Sequence, residues 1–242
     1  MRPRWRGGAP ARQILELALC LLGQDWPRFR GPLGAGVAGP CALPASATRA
    51  DLRWELELPG PGQSSPVVVG ERIYLTCADE KKSKRAFVCV GLEDGKIRWV
   101  HESSFEPHRK NGANGFASPS PAADEHGPVF LASSGTKLSA SALSPDGDVL
   151  WERELGSWDA VHGLGASPVL HDGVLLVAGD DEDDERFLLG LDRNAGHVLW
   201  RRERVLAPAS FTTPLVVGGG ARRAQAIFLS AGQALTSLDP RT

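Results

Sequence analysis

Four segments of this chain repeat one short pattern, an aliphatic residue two places before a tryptophan and mostly charged residues after it, centred on Trp54, Trp99, Trp151 and Trp200. The intervals between them are 45, 52 and 49 residues. A period of ~40–50 residues is that of one propeller blade, a small sheet that can bury its faces only against its neighbours. The expectation is an all-β chain of about four four-stranded antiparallel blades.

The rest of each repeat agrees. Ser65-Pro66, Ser120-Pro121, Ser167-Pro168 and Thr213-Pro214 each precede a short apolar run. Proline lacks an N–H, so it suits the start of a strand and pins its register. Turns rich in Gly or Asp follow, then a second apolar strand such as Val174-Leu175-Leu176-Val177. Strands apolar on both faces belong inside a stack of sheets. A third strand ends in Leu92-Glu93-Asp94-Gly95, Leu143-Ser144-Pro145-Asp146-Gly147 or Leu191-Asp192-Arg193-Asn194-Ala195-Gly196. These turns supply the positive φ of tight hairpins and deliver the tryptophan-bearing fourth strand, whose alternation in Trp151-Glu152-Arg153-Glu154-Leu155 marks a half-exposed edge. The blades fall at about residues 65–104, 118–155, 167–204 and 213–242, with 52–58 read as the outer strand of a closing blade.

Composition narrows the function. A formal charge of −2 with no basic stripe argues against a nucleic-acid surface. Residues 1–24 place Arg2, Arg4, Arg6 and Arg12 before a short apolar run ending at Leu22, the layout of an export signal too short to span a bilayer. Residues 25–50 read as an extended N-terminal segment. Cys20, Cys41, Cys77 and Cys89 have no zinc spacing, and no metal site is expected. Cys77 and Cys89 flank one hairpin and read either as two small buried hydrophobes or as a cross-strand pair. The carboxylates from Asp180 to Glu185, and Lys81, Lys82, Lys84 and Arg85, read as solvated hairpin tips. No nucleophile-elbow or zinc-hydrolase motif is present, so no catalytic residue is assigned.

The polar residues before each innermost strand converge, in a propeller, on one mouth of the central channel. They are Gln63, Ser64, His108, Asn111, Asn114, His162, Ser210 and Thr212. Two readings stand side by side: ligand contact at a concave mouth, or capping of strand starts and loop backbone.

The Gly-x-x-x-Trp turns over residues 51–242 resemble the Leu-x-Ala/Asp-x-x-Gly-x-x-x-Trp turns of the pyrroloquinoline-quinone-like β-propeller repeat proteins. The run Asp25-Trp26-Pro27-Arg28-Phe29-Arg30-Gly31-Pro32, with His108-Arg109-Lys110-Asn111 and His162-Gly163-Leu164-Gly165, is similar to an exported bacterial subgroup. The resemblance implies seven or eight blades. The chain then reads as an incomplete propeller whose missing blades are its natural packing partner. Sixteen strands closing as a four-bladed ring, with 52–58 completing the last blade, is the other reading. Quinone-dependent members hold their cofactor with adjacent cysteines, a stacking tryptophan and calcium. Here no cysteines adjoin and Trp158 has no evident calcium ligands beside it. The expected function is a non-catalytic scaffold of a secreted or periplasmic bacterial protein, binding a protein partner or small ligand at the channel mouth without a cofactor. The alternatives are the front part of a quinone-dependent oxidoreductase and an outer-membrane assembly scaffold.

Overall fold

The computed structural model describes residues 25–39, 46, 48–158, 161–179, 186–204, 210–219, 222–230 and 235–242. The export-signal segment 1–24, Cys20, Cys41 and the acidic run Asp180 to Glu185 lie outside the described residues. Apart from one 3-10 turn at Arg49–Asp51, the assigned elements are strands.

The strands form four consecutive antiparallel sheets. The first holds β1 (Val67–Val69), β2 (Arg72–Asp79), β3 (Lys84–Gly91) and β4 (Ile97–Ser104) in chain order. The second holds β5 (Ala122–Asp124), β6 (Gly127–Ser134), β7 (Lys137–Leu143) and β8 (Val149–Ser157). The third holds β9 (Val169–His171), β10 (Val174–Gly179), β11 (Phe187–Asp192) and β12 (Val198–Glu203). The fourth has three described strands, β13 (Leu215–Gly219), β14 (Arg222–Leu229) and β15 (Leu235–Leu238). Each innermost strand begins directly after the proline of its repeat.

The sheets stack face to face. Leu131, Leu138 and Ala140 of the second meet Leu175, Val177 and Leu189 of the third. Phe87 and Phe130 stack at 4.0 Å between the first and second. Val174, Leu176 and Leu188 of the third cover Ala226 and Phe228 of the fourth. This explains the burial patterns: every residue of β10 is buried, because it has a sheet on each side, whereas β8 buries only Trp151 and Leu155. The innermost strands β1, β5 and β9 are neighbours about a common axis.

Each indole is the fastener of a seam. Trp99 Nε1 donates to Pro145 O of the next sheet, Trp151 to Arg193 O and Trp200 to Pro240 O, each at 2.9 Å. A Cβ on Gly147 would stand 2.7 Å from the Trp99 ring, and one on Gly196 2.6 Å from Trp151. Both glycines have positive φ, so these turns need glycine for conformation and for space.

A second seam runs through the residue before each proline. Ser65 N–H donates to Ser120 Oγ, Ser120 N–H to Ser167 Oγ, and Ser167 N–H to Thr213 Oγ1. The serine or threonine of each repeat thus caps the backbone of the repeat before it.

One expectation is corrected, and of the two readings of Cys77 and Cys89 the buried-hydrophobe one holds. Residues 52–58, read as the outer strand of a closing blade, are assigned no strand and join none of the four sheets. Trp54 and Leu56 nonetheless lie on the outer face of the first sheet, and Trp54 Nε1 donates to Leu92 O at 2.9 Å. The fourth blade accordingly has three described strands rather than four. Cys77 and Cys89 do not face one another, because the register pairs them with Ala86 and Tyr74; both are free and buried.

Candidate functional site

The loops leading from each outer strand to the next innermost strand gather on one end of the stack, beside the hairpins joining second and third strands. Phe105 N–H bonds Ser83 O, Gly135 N–H bonds Glu106 O, Trp158 N–H bonds Thr136 O and Arg204 N–H bonds Arg186 O. Six of the eight residues chosen from the sequence lie on these loops, and Gln63 and Ser64 lie on the segment before β1.

The structure joins four of them in one network. Asn114 Nδ2 donates to His162 O at 2.8 Å, and Asn111 N–H donates to the same carbonyl at 3.1 Å. Asn114 Oδ1 accepts from Gly115 N–H and from Ser118 Oγ, which also reaches Gln63 Oε1 at 3.4 Å. The connector after the first sheet is thereby tied to the connector after the second. Ser118, missed in the sequence, is the centre of this cluster. It stands two residues before the Ser120 of its repeat, a spacing that could have flagged it.

The others serve separate contacts. Ser64 Oγ accepts Thr76 N–H at 3.1 Å. Ser210 Oγ lies 3.0 Å from Thr212 Oγ1, which donates to Leu229 O. The His162 ring meets the edge of Phe211. His108 Nδ1 faces Arg109 O at 2.8 Å, and because a carbonyl only accepts, Nδ1 is the donor there. Nε2 lies 2.7 Å from Ser133 Oγ. This is a base–hydroxyl pair, but Ser133 is buried and the His108 ring is wedged edge-on against Phe116 and Trp158. Its geometry is that of a loop anchor.

Arg85 corrects another expectation. It is buried rather than solvated, because it lies on the inward-turning part of β3. Its guanidinium donates to Phe116 O and Ser133 O and lies 4.8 Å from the Phe105 ring centre. Burial pushes its pKa down to about 10, still charged at neutral pH. Lys81, Lys82 and Lys84 are exposed, as expected of a hairpin tip.

At the axis, the N-terminal segment lies on the innermost strands. Trp26 and Val68 exchange backbone hydrogen bonds of 2.7 and 2.9 Å, and Pro27 O accepts Ala123 N–H at 2.8 Å. Arg28 curls back onto Gly31 O and Pro32 O, its pKa lowered by burial. The inner edges of β1 and β5 are therefore occupied by the chain itself.

A cleft of about 490 Å³ opens on the opposite end, lined by Asp25, Asp124, His126, His171, Asp172 and Arg193 among others. Arg193 grips Asp124 with contacts of 2.8 and 2.9 Å and donates to Gly127 O. Arg241 similarly holds Asp172 at 3.0 Å. These ion pairs lock a turn of one sheet to a turn of the next. Among the described residues no group of three or more His, Cys, Asp or Glu is placed to hold a metal ion. The side chains also fail to fit a stacked quinone: Trp158 is 2% exposed inside the core with Leu155 and Leu164, and Cys77 and Cys89 stand on different strands.

The chain was compared with known proteins. A family model described as outer membrane protein assembly factor BamB matches residues 42–161. The outer membrane protein assembly factor BamB of Alkalilimnicola ehrlichii is 27% identical over 158 residues, covering 65% of this chain and 37% of that protein. A polyvinylalcohol dehydrogenase of Pseudomonas sp. is 24% identical over 187 residues, covering 69% of this chain and 28% of the other. The chain thus spans about a third of the length of these curated relatives. The crystal structure of BamB from Moraxella catarrhalis superposes with a TM-score of 0.50 at 15% identity, over 77% of this chain and 54% of that one, a likeness of fold. No helix among the described residues is long and apolar enough to cross a membrane.

Proposed function

We propose that the chain, which is similar to pyrroloquinoline-quinone-like β-propeller repeat proteins, is a non-catalytic scaffold of the periplasm that binds a protein component of outer-membrane assembly through its loop face. The likeness to outer-membrane assembly factors over residues 42–161 carries this reading. The site chemistry supports it. The loop face is a network of side chain to backbone bonds around Asn114 and Ser118, which fixes a surface. Arg109 and Asn111 stand exposed on that surface, where a partner can reach them.

A photo-crosslinking residue placed at Asn111 tests this in solubilised outer membranes. The expected product is one discrete adduct with a membrane β-barrel assembly component, lost when Arg109 and Lys110 are both changed to Glu. Saturable binding of pyrroloquinoline quinone with calcium, and turnover of an alcohol, would overturn it in favour of an oxidoreductase like the dehydrogenase relative.

A further inference from the structure

A second cavity, of about 260 Å³, lies where the N-terminal segment crosses the innermost strands. Arg28, Leu33, Ala123, Leu170, His171 and Val216 line it among others, so its walls come from the segment and from β5, β9 and β13. It shares Pro27, Ala123, Leu170 and His171 with the 490 Å³ cleft, but the two differ in charge. The larger carries the carboxylates of Asp25, Asp124, Glu125 and Asp172. The smaller has no carboxylate in its lining, and its permanent charge is Arg28.

Arg28 is a buried cation without a counter-charge. It is 6% exposed, and among the described residues no carboxylate pairs with it. Its partners are two carbonyls of its own loop, Gly31 O at 3.2 Å from Nε and Pro32 O at 2.9 Å from Nη2. A guanidinium has five N–H donors in a planar fork. These bonds use one edge of the fork, and Nη1 with the second N–H of Nη2 is left without a protein acceptor. A buried charge is costly until it is paired.

The loop holds this fork still. Gly31 N–H bonds Arg28 O and Gly34 N–H bonds Gly31 O, each at 3.0 Å. Gly31 sits so close to Trp26 that a Cβ there would stand 2.8 Å from the ring, and Trp26 is itself bonded to Val68 of β1. On β9, His171 supplies a second polar group. Its Nε2 is buried with no hydrogen-bond partner and lies 3.7 Å from Asp172, a carboxylate that Arg241 already holds at 3.0 Å.

We infer that this cavity binds a small organic carboxylate, its acid group forked on the open edge of Arg28 and its apolar body against Leu33, Leu170 and Val216. Paired N–H···O bonds to a carboxylate are the strong, shape-matched use of a guanidinium. An apolar cavity with a few placed polar groups is the common form of a small-molecule site. At ~30 Å³ per water the volume matches about nine waters, and so an acid of about nine heavy atoms such as benzoate.

The site is distinct from the loop face and is tested without a protein partner. Calorimetric titration of the purified chain with benzoate is expected to saturate at one site with a dissociation constant of about 1 mM or below. Benzyl alcohol, inorganic phosphate and an acetylated tripeptide ending in phenylalanine are each expected to bind about tenfold or more weakly, since each lacks the acid group, the apolar body or the size. Absence of saturation overturns the proposal, as does any of the three binding as tightly as benzoate. Leu33 is 77% exposed, so its replacement spares the fold. Leu33→Glu brings a carboxylate of the chain's own to Arg28 and is expected to weaken benzoate about tenfold or more with the urea midpoint unchanged, whereas Leu33→Gln leaves it within about twofold. Arg28→Met is expected to abolish saturation. Unaltered affinity in Arg28→Met, or equal affinity in Leu33→Glu and Leu33→Gln, overturns the proposal.

Discussion

Tryptophan and turn glycine act as one fastener spread over two sheets. Gly147 has φ +96° and faces the Trp99 ring. Gly147→Ala therefore adds backbone strain to a clash, and a loss of about 2–4 kcal/mol is expected in urea unfolding. Ser120 is a quieter part of the seam, 1% exposed, accepting Ser65 N–H and donating its own N–H to Ser167. Ser120→Ala leaves an N–H without its acceptor and is expected to cost about 1–2 kcal/mol by the same measurement. Burial raises the thiol pKa of Cys77 and pushes that of Cys89 up to about 11. At pH 8 neither forms appreciable thiolate, so both are expected to resist a thiol reagent in the native protein and to react once it is unfolded.

Single elements show which parts of the structure were legible in the chain. The proline-led inner strands and the turn glycines were, because their signals are local and repeat. The hydroxyl relay from Ser65 to Thr213 was not, since nothing local says which sheet a hydroxyl will meet. Arg85 looked solvated because it closes a run of lysines, yet the inward side of β3 carries it into the core. Residues 52–58 alternate as a strand should, but a strand needs a neighbour, and that neighbour is not a property of the segment. The loop residues lie at one end of the stack; their grouping around Ser118 depends on contacts across 50 residues or so of sequence, such as Asn114 with Leu164. Arg85 also gives the loop its anchor. Arg85→Met removes the bonds to Phe116 O and Ser133 O. Charged hydrogen bonds are worth about 1.5–3 kcal/mol each, so proteolytic nicking of the 105–121 connector is expected to rise about tenfold or more while the sheets persist.

The whole molecule is held by relations between consecutive sheets. Indole to turn, hydroxyl to backbone, and arginine to carboxylate each link one repeat to the next, as in other stacked repeat folds. Each of the first three sheets therefore presents its successor with the same three kinds of attachment point. The N-terminal segment adds a cross-brace at the axis by bonding β1 and β5 together. The most direct test of this inter-sheet account is a double-mutant cycle across the seam between the second and third sheets. Gly196→Ala is introduced into the wild type and into Trp151→Leu, and stability is read from urea unfolding. If the indole packs on that turn, the cost of the alanine falls by about 1 kcal/mol or more once the ring is gone. Costs that add to within about 0.3–0.5 kcal/mol would mean the two residues do not touch, contradicting the account.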